Sequence, residues 1–206
     1  PPILNIIFQT NILDTYRRMF SLGMKLRLVS EMLEQMWKHR KERHGHSLRT
    51  AKTQIEVISN RVRHCMSFFI SNLVYHMQVD VVDLLFNAML EDIGKASTFG
   101  DVIRSHRNFV AAMASAAFLD DIAIQESFER VVQICIRFIA LMDIHDTHLD
   151  VTDGEGIVVE MQEIEREFFG ETRFLFQVLR KVDTKGLLLK LDFNHFFSQS
   201  IADSLG

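Results

Sequence analysis

Proline is almost missing from this chain. Of 206 residues only two are proline, and they are the first two, Pro1 and Pro2. Proline removes a backbone donor and clashes with the preceding turn, so beyond residue 2 no proline interrupts a long helix. Cysteine is equally scarce. Cys65 and Cys135 are too few for a disulfide framework, and a reducing compartment is the default expectation. No uncharged apolar run reaches the roughly 18 residues that crossing a bilayer requires, so no membrane partner is expected. The opening, Pro1 to Phe8, lacks the basic n-region of a signal peptide and an initiator Met, and reads as the start of a piece cut from a longer polypeptide. The net charge of −4 lacks the basic excess of a nucleic-acid binder. Gly-x-Ser-x-Gly, glycine-rich phosphate loops and His-Glu-x-x-His are also missing, and neither cysteine has an acid-base partner nearby in sequence. Neither an enzyme nor a cofactor is expected.

What is abundant is apolar side chain: 48% of residues are hydrophobic, with 17 Phe and 10 Met. At this length roughly 70% of the unfolded surface can be buried. Methionine fills the irregular gaps of thick helix packing. The stretch Met66 to Phe86 carries two apolar stripes. At helical periodicity Met66, Phe69, Ile70, Leu73, Met77, Val81 and Leu84 share one face, and Phe68, Tyr75, Val79, Val82 and Phe86 the opposite one. Between them runs a polar seam of Asn72, His76, Asp80, Asp83 and Asn87. A helix apolar on both sides predicts burial on both sides. The expected fold is therefore all-α, a multi-helix bundle of five to six helices around a buried long central helix, forming a single helical domain over residues 1–206.

The expected order is a short extended opening (Ile3 to Gln9), a helix capped by Asp14 and running to Arg43, and a turn at Gly45. A long helix then covers Leu48 to Ile93. Gly94 and Gly100 bracket a turn before a helix from Val102 to Ala117, and Ile122 to Ile144 forms the next. After an acidic loop, Asp143 to Gly156, a helix spans Ile157 to Val182. Gly186 breaks it, and Leu187 to Ser200 forms a short closing helix.

Three constellations invite chemistry. His145, Asp146, His148, Asp150 and Asp153 could converge on a divalent ion, which would allow a metal-dependent hydrolase. The calcium-loop template fails: with Asp146 at position 1, Val151 stands where Gly is needed and Ile157 where the bidentate Glu is needed. A solvated loop without metal is the reading the spacing favours. The run from Lys38 to Lys52 holds six Lys or Arg against one acid, suiting either an acidic surface or a charged helix turn in water. His106 lies on an apolar helix face, where a core histidine with one hydrogen-bond partner is the ordinary outcome and a switching imidazole the alternative.

Read in order, four stretches resemble the C-terminal domain of the gamma-tubulin complex proteins. The first is Pro2 to Phe8 with Leu13, Tyr16, Phe20 and Trp37, similar to the family's entry strand and first helix. The second is His64 to Tyr75 with Gln78 to Asp83, similar to its "M-x-F-x-x-N-L-x-Y-Y … D-V-x-E" pattern. The third is Phe99 and Val102 to Phe109, with Phe118 and Leu119. The fourth is Leu187-Leu-Leu-Lys-Leu-Asp-Phe-Asn-His-Phe-Phe197, similar to "L-x-L-R-L-D-F/Y-N-x-Y-Y". Gln78 to Val81 and the Leu-Asp-Phe-Asn ending look closest to the component-4 branch. His76, Asp83, Lys190 and the pair Phe196 and Phe197 depart from the family's pattern.

The resemblance implies a non-catalytic scaffold that binds gamma-tubulin, with any GTP belonging to that partner, and meets other gamma-tubulin complex proteins through an N-terminal region absent here. It implies work in the cytoplasm and cytoskeleton, at a microtubule organising centre such as a centrosome or spindle pole. Holding gamma-tubulins in place lowers the entropic barrier to microtubule nucleation. Lys190, Asp192, Asn194 and His195 interrupt an otherwise apolar ending and are the candidate gamma-tubulin contacts; the alternative is that Asp192 and Asn194 cap the closing helix. An unrelated helical interaction scaffold is the further alternative.

Overall fold

The computed structural model describes residues 6–44, 54–147, 154–182 and 185–191. Six helices account for nearly all of them: α1 (Thr10–His44), α2 (Gln54–Gly94), α3 (Phe99–Ala116), α4 (Ile122–Thr147), α5 (Gly154–Lys181) and α6 (Lys185–Leu191). No strand occurs among the described residues, as an all-α bundle requires. The opening differs from expectation: Ile6 and Ile7 are helical, and residues 1–5 lie outside the described part. Asp14 is not a cap, because α1 already starts at Thr10; it makes an exposed ion pair with Arg17 at 3.0 Å. The acidic loop is also shorter, with α4 continuing to Thr147 and α5 beginning at Gly154.

Helix ends follow local chemistry. Thr98 caps α3, its hydroxyl accepting from the Asp101 amide at 3.2 Å while the Asp101 carboxylate accepts from the Thr98 amide at 3.0 Å. Asp121 accepts from the Ile124 amide at 3.0 Å at the start of α4. Between α3 and α4 the chain turns through Phe118, whose φ of 54° lies in the left-handed region that normally calls for glycine. The Leu119 amide closes that turn on the Ala114 carbonyl at 2.9 Å. Gly186 does not break a helix; it sits in the first turn of α6.

The core is a strip of fully buried side chains from every helix. Leu26 and Leu33 of α1 meet Met66, Phe69, Ile70 and Leu73 of α2, with Phe128 and Phe138 of α4, Phe168 and Leu175 of α5, and Leu187 and Leu191 of α6. The Phe69 ring stands edge-on to Phe168 at 5.8 Å between centroids. At one end, buried Arg40 ties α1 to α4 through Asp146 at 3.2 Å and to α2 through the Ser59 hydroxyl at 2.9 Å.

The two-stripe reading of α2 needs correction. Its first stripe is buried as far as Val81, but Leu84 is 64% exposed. The second stripe is not buried: Tyr75 is 50% exposed and Phe86 44%, with Phe68, Val79 and Val82 half-buried. The first departure has a geometric cause. From His76 to Asp83 the helix widens to π geometry, which takes in an extra residue and shifts the later register by one, so that Leu85 and Met89 face the core where Leu84 would have done. The second departure follows from what lies beside each residue: Val82 and Phe86 line an opening between α1, α2 and α3, and the Tyr75 ring faces the Lys190 ammonium of α6.

Candidate functional site

The π stretch carries the polar seam. His76 sits with Nδ1 at 3.1 Å from the Asp80 carboxylate and Nε2 at 3.3 Å from the Ala116 carbonyl, its ring stacked on Phe118. That contact rationalises an aromatic residue, rather than glycine, in the left-handed turn. Asp80 also accepts from Lys190 of α6, whose ammonium lies 4.5 Å from the centre of the Tyr75 ring. Burial pushes the Asp80 carboxyl up, but the hydrogen bonds from Lys190 and His76 outweigh it and hold the carboxyl below its ordinary range. Of the four candidate contact residues, Lys190 thus has a structural tie, fastening α6 to α2. Asp192, Asn194 and His195 lie outside the described residues.

A second feature was missed in the sequence. Between antiparallel α1 and α2 runs an open apolar groove of about 570 Å³. Helix α1 supplies Tyr16, Met19, Phe20, Gly23, Met24, Leu26 and Arg27; α2 supplies Val74, Met77, Gln78, Val82 and Phe86; Phe109 and Met113 of α3 close it below. Its walls are exposed: Phe20 is 70% accessible and Met24 53%, with Leu28 at 59% continuing the stripe along α1. The signal was there, because Phe20, Met24 and Leu28 repeat every four residues on a line separate from the buried Met19, Leu22, Leu26 and Val29.

At the rim of this groove, Tyr16 Oη meets His106 Nε2 at 2.9 Å, and Phe8 stands edge-on to the imidazole at 5.5 Å. His106 Nδ1 is buried without a hydrogen-bond partner among the described residues. Burial holds the imidazole below its ordinary pKa and raises the Tyr16 phenol. This is the core histidine with one partner that the apolar helix face suggested.

Of the candidate metal loop, His145 and Asp146 are described. They lie 3.3 Å apart and Asp146 is engaged with Arg40; His148, Asp150 and Asp153 fall outside the described residues. No group of three His, Cys, Asp or Glu side chains that could hold a metal occurs among the described residues. In the basic run, Lys38 pairs with Glu34 at 2.6 Å and Arg40 is buried. Burial raises both thiols, Cys65 to about 11. Helix α2 is long enough to cross a bilayer, and one window of it reaches a mean hydropathy of 1.2 with 28% buried inside the protein. The same helix presents His76 and Asp80 to partners on α3 and α6, and its exposed Phe86 stands in the wall of the groove.

Comparison with known families turns on one match. The profile of the family described as "Gamma tubulin complex component C-terminal" matches residues 1–197. The chain belongs to this family. Human gamma-tubulin complex component 4 is 24% identical over 204 residues, covering 96% of this chain and 29% of that protein. The component 4 homolog of Medicago truncatula is 24% identical over 219 residues, again 96% of this chain and 29% of its own length. Component 3 of Arabidopsis thaliana is 21% identical over 244 residues, 95% of this chain and 29% of that protein. The component-4 resemblance of Gln78 to Val81 and of the Leu-Asp-Phe-Asn ending accords with this gamma-tubulin complex family and its component-4 branch. The chain spans about 29% of the length of these relatives.

Proposed function

We propose that this chain is a gamma-tubulin-binding scaffold within a gamma-tubulin complex, acting as one helical unit that supports microtubule nucleation from a cytoskeletal organising centre. The observation that carries the reading is the family profile running over residues 1–197. The packing suits the work: a core drawn from all six helices, with buried Arg40 tying one end, resists bending under a bound load. Catalysis is no part of the proposal. The buried thiols and the engaged His76 and His106 present no activated nucleophile or free base. Other gamma-tubulin complex components are the further partners.

Lys190, Asp192, Asn194 and His195 remain proposed contacts of this scaffold. Purified chain incubated with gamma-tubulin should retain it through size-exclusion chromatography. Asn194→Ala should weaken capture by about 1 kcal/mol or more with the melting temperature unchanged. Lys190→Glu places two carboxylates together at Asp80, so its melting temperature and capture should fall together. Absence of gamma-tubulin from the wild-type peak would sink the function, and unchanged capture by Asn194→Ala would remove that residue from the contact.

A further inference from the structure

Two helices run antiparallel beside the groove, each offering an apolar line at four-residue spacing: exposed Phe20 and Met24 on α1, half-buried Val82 and exposed Phe86 on α2. Such a channel has the form that an amphipathic helix fills, laying residues at spacings of three and four between two ridges. Val74 to Phe86 covers about 18 Å of helix axis, enough for about 12 residues of docked helix. The thioethers of Met19, Met24, Met77 and Met113 let the lining adapt to the incoming side chains.

Gly23 adds a separate observation. It lies in the middle of α1, where glycine costs about 1 kcal/mol against alanine. A β-carbon placed there meets no atom within 4 Å, so glycine is not required by the protein's own packing. It leaves room for another backbone to come close. Arg27, exposed at the Val74 end, makes no ion pair among the described residues and asks for an acidic side chain.

We infer that the groove between α1 and α2 receives an amphipathic helix of gamma-tubulin, its apolar side chains set between Phe20 and Phe86 and an acidic side chain against Arg27. This rests on the proposed function and deepens it by naming the surface. The channel walls supply desolvated apolar contact, and Arg27 fixes which way along the channel the helix runs.

The test is the affinity of purified gamma-tubulin for the 206-residue chain, with the melting temperature of each variant recorded alongside. Gly23→Leu fills the channel and improves helix propensity, so it should bind at least about tenfold more weakly while melting no lower than wild type. Arg27→Glu should lose about tenfold and Arg27→Lys much less. Should Gly23→Leu melt lower, Phe20→Glu, at a side chain 70% exposed, carries the same expectation. Photo-cross-linking from p-benzoylphenylalanine in place of Phe20 should recover a gamma-tubulin peptide with apolar spacings of three and four and an acid. Wild-type binding matched by the groove variants overturns the groove and leaves the scaffold function standing. No binding by wild type overturns both. A chain that sediments as a dimer, and as a monomer once Gly23→Leu is made, assigns the groove to a second copy and overturns gamma-tubulin as its occupant.

Discussion

At the scale of single residues, the histidines divide by what each nitrogen meets. Among the described residues His106 has one hydrogen-bond partner, Tyr16, and burial disfavours its protonation inside the fold, so its pKa lies below the ordinary value. Below about pH 6.5 the unfolded chain takes up a proton that the folded site resists, and stability must fall as pH drops through that range. Melting curves between about pH 7.5 and about pH 5, a window that brackets the ordinary histidine pKa of about 6.5, should show this slope in wild type and lose much of it in His106→Gln. Tyr16→Phe should cost about 1–2 kcal/mol, because it removes the hydrogen bond between the phenol and the buried imidazole. The core placement of His106 was legible, since it shares a face with Phe109, Val110 and Met113. The fastening of Lys190 to Asp80 was not: the two stand 110 residues apart, and no local pattern reports which acid a lysine will meet.

At the scale of helices, periodicity told more than punctuation did. Apolar spacing located all six helices, and the Thr-Phe-Gly-Asp sequence before α3 is a capping box that can be read without coordinates. Gly186 was misread because glycine disfavours a helix by only about 1 kcal/mol, which the burial of Leu187 and Leu191 readily offsets. The second stripe of α2 was misread for a different reason. A period records which side chains are apolar and says nothing of what covers them, so a binding wall and a core wall look alike. The first stripe does face the core. Phe69→Ala and Leu73→Ala, each fully buried, should therefore cost about 3–5 and about 2–5 kcal/mol by denaturant unfolding. Phe86→Ala, nearly half-exposed, should cost clearly less than either.

At the scale of the whole molecule, α1, α3, α5 and α6 all pack on α2, and α2 carries one residue more than a regular α-helix would use between Met77 and Met89. Deleting a residue from a core helix ordinarily turns everything beyond it by about 100° and drives its apolar face into water. Here the surplus supplies slack. Removing Val79 would let the π stretch relax to α geometry while Leu85 and Met89 stay turned inward, so the shortened protein should still unfold cooperatively. The same cut at Phe68, in the regular part, should abolish folding. Over generations this gives the chain a rare freedom for an interior segment: it can change in length without losing its fold.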